Sequence, residues 1–275
     1  MKVQRIYSNN AQYQKFEVLK TNRNKRFKYN EFLVEGVRNI NEAIKNHWII
    51  VSFIYSYEDK LSDWAKNHLD SVRTEINYEL TKELMAGISG KEDTSELLAI
   101  ARMREDDTKH IATGENPILA IFDRPSNKGN LGTIIRSCDA LGVDGLVITG
   151  HSVDLYDPDV IASSMGSFFK VPVIRITENN TLVNWIEQLR DQYHALKVVG
   201  TTSHAEKSLF EIDLSGPVIF LIGNETVGLN NGLKELSDIM STIPMDSNAA
   251  ASSFNVSCAT TVMFYEAIRQ RSIKL

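Results

Sequence analysis

Three separated stretches set small residues and side-chain amides beside apolar runs: 127–136 (NKGNLGTIIR), 220–228 (FLIGNETVG), and 243–245 (IPM) followed by 253–257 (SFNVS). Each presents bare backbone N–H and C=O groups to a ligand. Gly223 closes the apolar run 218–222, and Gly228 follows five residues later where a helix begins. A loop between the end of a parallel strand and a helix is the ligand crevice of an open α/β sheet. Ile243-Pro244-Met245 ends the next strand in the same way, with Pro244 removing a donor and stopping ladder pairing. No G-x-G-x-x-G follows a strand and no G-x-x-x-x-G-K-[ST] occurs, so dinucleotide binding and nucleotide hydrolysis lose their main support. His151 and His204 fall near strand ends without a motif around them and read as exposed loop residues. Cys138 and Cys258 lie in helical segments with no Cys or His at metal-ligand spacing, which predicts buried free thiols and no metal.

The elements that would position these stretches follow from periodicity. Continuous apolar runs over 118–122, 145–149, 171–176, 196–199, 218–222 and 239–243 suit strands covered on both faces, hence a mostly parallel sheet. Helical spacing over 131–141, 181–190 and 255–269 supplies the cover. Upstream, strand-like runs at 32–34, 49–55, 74–78 and 97–103 alternate with helical spacing at 36–46 and 83–88, a small α/β domain. The polar, nonperiodic stretch 104–116 separates the two. We therefore expect an N-terminal domain over 1–110 and a second domain over 111–275.

No apolar run in the 275 residues reaches the roughly 18 residues of a membrane span, and MKVQRIYSNN lacks the apolar core of a secretion signal. A cytoplasmic protein without a membrane partner is expected. Net charge is −5, yet residues 1–30 hold eight Lys and Arg against one Glu, a local +7 that leaves −12 for the remainder. That asymmetry, with Tyr7, Tyr13, Phe16, Phe27 and Tyr29 interleaved, fits either an electrostatic footprint for a phosphate polyanion or a basic segment that is solvated or packed on its own domain.

The three stretches resemble the three motifs of the SpoU (TrmH) branch of the SPOUT methyltransferases. Asn130-x-Gly132 with Arg136 matches the first, Gly223-Asn224-Glu225 the second, and Ile243-Pro244-Met245 with 253–257 the third, Phe254 standing where the family usually has Leu. The likeness covers about residues 117–270, and Phe32-Leu33-Val34-Glu35-Gly36 is similar to the start of the ribosomal-protein-like substrate-binding module of several ribosomal-RNA members. The resemblance implies a C-terminal α/β domain, with a mostly parallel sheet, helices on both faces and a deep trefoil knot. It also implies a homodimer through that domain. S-adenosylmethionine would lie against Thr201, Leu221, Gly223, Asn224, Ile243, Met245 and Ser253, mostly through backbone.

The implied reaction is methyl transfer to a ribose 2′-hydroxyl of RNA, ribosomal by the two-domain layout. A non-catalytic RNA-binding relative, methylation of a base nitrogen, and transfer-RNA ribose are the alternatives. Catalytic roles pass by resemblance to Arg136, Asn130, Glu225, Ser253 and Asn255. Arginine, with an ordinary pKa above about 12, is a poor base, so Arg136 is expected to position the hydroxyl at least as much as to deprotonate it. Glu225 is expected to pair with the Arg136 guanidinium.

Overall fold

The computed structural model describes residues 2–91, 93–202 and 205–273, and the chain divides into two compact units, Met1–Arg104 with Asp154–Lys170 and Glu105–Val153 with Val171–Leu275. His204 lies outside the described residues. No helix among the described residues is long and apolar enough to cross a membrane.

The first unit begins with β1 (Val3–Ile6), α1 (Ala11–Thr21), α2 (Arg23–Tyr29), β2 (Glu31–Glu35), α3 (Val37–Lys45) and β3 (Ile50–Ser56). It continues through α4 (Asp63–Ser71), β4 (Asn77–Leu80), α5 (Lys82–Ile88) and β5 (Leu97–Arg102). Its sheet runs β1-β4-β3-β5-β2, parallel at β1/β4/β3 and antiparallel where β5 lies between β3 and β2. Tyr13, Phe16 and Leu19 of α1 and Met85 and Ile88 of α5 pack on Leu33, Val51, Ile54, Leu98 and Ile100. Phe32 takes the opposite direction in the strand and meets the rings of Trp48, Tyr156, Phe168 and Phe169, with centroids 4.9–6.3 Å away. Three of those rings come from the excursion 154–170.

That excursion also settles one part of the N-terminal charge. Arg26 is 1 % exposed. Its guanidinium donates to Asp154 at 2.7 Å, to Asp157 at 3.4 Å, and to the carbonyls of Leu19 and Lys20. A buried guanidinium is tolerated only when paired and hydrogen-bonded in this way. Arg26 is therefore core structure.

The second unit holds β6 (Ile118–Asp123), α6 (Lys128–Ala140) and β7 (Gly145–Thr149). After the excursion, which contains α7 (Pro158–Ser164), come β8 (Val173–Ile176), α8 (Asn179–Gln192), β9 (Lys197–Thr201) and β10 (Lys207–Ser208). The chain closes with β11 (Val218–Ile222), α9 (Asn231–Leu236), β12 (Ile239–Thr242) and α10 (Val256–Ile273). Seven strands run β10-β12-β9-β11-β6-β7-β8, and each described pairing is parallel. Alternation places Ile219 and Leu221 with Leu182, Trp185 and Ile186 of α8 and Leu233 of α9 on one face. On the other face, Phe220 meets Phe264 of α10 at 5.9 Å. Helices thus cover both faces, as the continuous apolar strands require.

The two thiols differ. Cys138 is buried and burial pushes its thiol up. Cys258 is exposed, against expectation, because it sits on the outward side of α10 while Ser257, Thr260, Met263 and Phe264 take the inward side.

Candidate active site

Because the sheet is parallel, β6, β9, β11 and β12 all end at one edge, at Asp123, Thr201, Ile222 and Thr242. The loops after β9, β11 and β12 enclose a cleft of about 910 Å³ lined by Thr201, Gly223, Asn224, Ile243, Met245 and Ser253, among others. Six of the seven residues that the resemblance assigns to the cofactor meet there. Leu221 does not. Its side chain is fully buried in the sheet core, since it precedes the strand end by one residue and points to the α8/α9 face. Its carbonyl accepts the Thr201 hydroxyl at 2.9 Å, which orients Thr201 on the cleft wall.

Loop 223–230 is shaped by its own amides. A Cβ on Gly223 would lie 2.7 Å from the Leu229 nitrogen and 2.8 Å from the Gly228 carbonyl carbon, so only glycine lets the loop close over itself. Asn224 accepts from the backbone of Thr226 and Val227 and donates to the Arg124 carbonyl at 2.7 Å. Gly228 has φ +70, the left-handed region.

Beneath this loop sits a group that the sequence reading missed. Asp123 is 0 % exposed and accepts from Arg124, Thr149 and both the backbone and amide of Asn230. Burial acts to raise its pKa, but the bonds from Arg124 and Asn230 together prevail and hold it below the usual carboxylate range. Arg124, itself at φ +46, reaches the Gly228 carbonyl at 3.4 Å. The end of β6 is thereby tied to the loop after β11. A carboxylate closing an otherwise continuous buried apolar run was the available signal, because a buried charge needs several partners.

Glu225 joins the second stretch to the first. Its carboxylate accepts from the Ser126 backbone at 3.0 Å, the Ser126 hydroxyl at 2.7 Å, the Asn127 backbone at 3.1 Å and the Asn130 amide at 3.3 Å. These donors stand at the start of α6, where the helix dipole favours a negative group. The expected Glu225–Arg136 pair is corrected accordingly: Glu225 holds the N-terminus of α6, and Arg136 lies exposed further along that helix. Asn130 continues the chain, its carbonyl oxygen accepting from the Asn255 amide at 3.1 Å. Asn255 also accepts from the backbone of Ser257 and Cys258 and so caps α10. Ser253 is exposed on the cleft wall. His151 is exposed.

Burial alone would raise the Glu225 pKa, but the bonds from Ser126 and Asn130 outweigh it and the net shift is downward. A carboxyl depressed in the folded state contributes stability fully above its unfolded value, about 4.3, and loses it as pH falls through the folded value. Glu225→Gln should thus be less stable than the parent at pH 7 by about 1 kcal/mol, the group being partly solvated. The difference should shrink below about pH 4.3. Urea titrations across that range check it, and a pH-independent difference would remove the carboxylate charge from the account.

A doubly covered parallel sheet with its cleft at a row of strand ends defines an α/β domain of the ligand-crevice type. Residues 117–265 match the SpoU rRNA Methylase family and residues 10–99 the SpoU L30e-like domain. The chain belongs to the SpoU rRNA methylase family. It is 40 % identical over 268 residues, 97 % of this chain and 92 % of the relative, to the 23S rRNA (uridine(2479)-2′-O)-methyltransferase of Streptomyces viridochromogenes. It is 27 % identical over 240 residues, 87 % of this chain and 89 % of the relative, to the 23S rRNA (guanosine(2553)-2′-O)-methyltransferase RlmP of Bacillus subtilis. Its fold is similar to the crystal structure of the SpoU methyltransferase AviRb from Streptomyces viridochromogenes in complex with the cofactor AdoMet. There the TM-score is 0.90 at 39 % identity, covering 96 % of this chain and 99 % of that one.

Proposed function

We propose that this chain acts in the cytoplasm, transferring the methyl group of S-adenosylmethionine to a ribose 2′-hydroxyl of 23S ribosomal RNA, with its first unit holding the RNA. The observation that carries the reading is the hydrogen-bonded chain Glu225–Asn130–Asn255, which joins all three motif stretches beside the cleft that Glu225 lines. The cleft suits the cofactor: Gly223 lets the loop after β11 close over its own backbone, while Ile243 and Met245 flank the cleft with apolar surface beside the Thr201 and Ser253 hydroxyls. When bound, S-adenosylmethionine supplies an electrophilic methyl group on a sulfonium. Arg136 orients the ribose hydroxyl and stabilises the charge that grows on its oxygen as the hydroxyl proton passes to solvent water. Asn130 and Asn255 set the ribose against the cleft mouth. Glu225 acts through them as a positioning residue. Mass spectrometry of nucleosides from 23S ribosomal RNA methylated in vitro is the test, with uridine the first nucleotide to examine: the methyl mass should reside on the sugar, and its appearance on the base would overturn the reading.

The unit works as a homodimer with its C-terminal segment, β12 through α10, threaded as a trefoil knot. Helix α10 buries Met263, Phe264 and Ala267 inward yet leaves Val262 at 41 % and Tyr265 at 57 % exposed on its outer side. A helix apolar on two sides calls for a second surface. Sedimentation should return twice the 31.0 kDa chain mass, and a monomer at micromolar concentration would exclude the dimer. Crystals of the chain in which α10 is unthreaded would exclude the knot.

A further inference from the structure

The charged side chains on the cleft wall, among the described residues, are Glu225, Asp246 and Lys234. Glu225 is committed to Ser126, Asn127 and Asn130. Asp246 accepts the Asn248 amide at 2.7 Å and so serves its own loop. Lys234 is the cation of the set. It is exposed on α9, and the acid one turn further on, Asp238, is already taken by the Arg190 guanidinium at 2.9 Å and the Val198 amide at 2.7 Å. No carboxylate among the described residues pairs with the Lys234 ammonium.

The helix that carries Lys234 is anchored at its start. Asn230 caps α9 by accepting the Leu233 amide at 3.0 Å and is itself bound to the buried Asp123, so the clasp that shapes the loop 223–230 also fixes where Lys234 stands. Lys234 lines a second hollow of about 550 Å³ as well, with Lys207 and Met240. It therefore marks the place where the two hollows meet.

S-adenosylmethionine brings two positive centres, its sulfonium and its ammonium, and one negative group, the carboxylate of its methionine end. A lysine on the wall repels the first two and attracts the third. Taking that carboxylate out of water without a partner is costly, and an ammonium offers it a charge-assisted hydrogen bond. We infer that Lys234 is a cofactor-binding residue that receives the methionine carboxylate, so that the methionine end of the cofactor lies toward α9. This rests on the use of S-adenosylmethionine in the reaction above and adds the direction in which the cofactor lies and a residue outside the three motif stretches.

Calorimetric titration of the full chain with S-adenosylmethionine and with decarboxylated S-adenosylmethionine tests it, because the second ligand keeps the sulfonium and the amine and lacks the carboxylate. Lys234→Met should weaken S-adenosylmethionine binding about fivefold, the upper end for a solvent-exposed ion pair. The decarboxylated ligand should bind that variant at least as tightly as it binds the parent. Lys234→Arg, which keeps the charge, should treat both ligands as the parent does. Equal losses for the two ligands in Lys234→Met would overturn the inference, as would an unchanged affinity for S-adenosylmethionine. Filter binding to a 23S ribosomal RNA transcript runs alongside, and a loss of RNA affinity in place of cofactor affinity would assign Lys234 to a phosphate instead. If the parent binds S-adenosylmethionine but methylates no ribose, the functional reading fails while the comparison of the two ligands still decides the role of Lys234.

Discussion

Arg136→Ala should bind S-adenosylmethionine as the parent does and lose methyl transfer by about 10²- to 10⁴-fold, the range for removing a group that handles a proton or its charge in a transition state. The geometry makes the separation of effects sharp. Arg136 is exposed on α6 and is not among the residues lining the cleft, so its removal leaves the cofactor walls intact. Neither does the substitution touch the bonds that set the start of α6, because those are made by Ser126, Asn127 and Asn130 to Glu225. Arg136→Lys separates the two roles open to the residue. A positioning guanidinium uses a planar fork that an ammonium cannot reproduce, so the lysine variant should stay nearly as impaired across pH. Activity recovering with rising pH would instead indicate that the residue removes the proton. Full activity in Arg136→Ala would sink the assignment.

Gly223→Ala is expected to cut cofactor affinity by about 100-fold, close to 3 kcal/mol. The added methyl would press on the backbone of Gly228 and Leu229, not on a side chain that can turn aside. Relief must come from the loop, and the loop is held at both ends: Asn224 is bound to the Arg124 carbonyl, and Asn230 to Asp123. Displacement therefore moves the cleft floor. Calorimetric titration with S-adenosylmethionine reads the loss, and a thermal melt of the cofactor-free chain shows whether the fold survives. An unchanged affinity would mean that the loop backbone is not the cradle. Gly228→Ala is a useful companion, since open space surrounds that position and only its φ of +70 opposes a side chain. Its effect should be smaller, of the order of 1 kcal/mol.

Much of this architecture was legible in advance where burial is continuous. The strands at 118–122, 145–149 and 218–222 coincide with observed strands nearly residue for residue, because a strand covered on both faces must be apolar throughout. Helices α1, α2, α4 and α7 have no counterpart among the periodic segments. The buried residue of α2 is Arg26 and not an apolar side chain. In α7 the start signal, an Asp157 cap with Pro158 at the first position, opens a helix of only seven residues. Short elements held by polar pairs carry little periodicity. At Leu221 strand alternation turns the side chain to the α8/α9 face and leaves its backbone carbonyl to the Thr201 hydroxyl on the cleft wall.

By itself, the order of residues determined the doubly covered α/β domain, the three stretches that meet at its strand ends, and the family to which they belong. Those properties are local: apolar runs, turn formers and amides act over a few positions. Tertiary structure alone decided the partners of the polar groups. Glu225 meets the start of α6 because β11 lies beside β6, Asp123 clasps the loop after β11 for the same reason, and Arg26 is drawn inside by carboxylates 128 and 131 residues away in the chain. The choice of partner for a charge depends on which strand ends and helix termini the crossovers bring together, and no spacing within one segment encodes that.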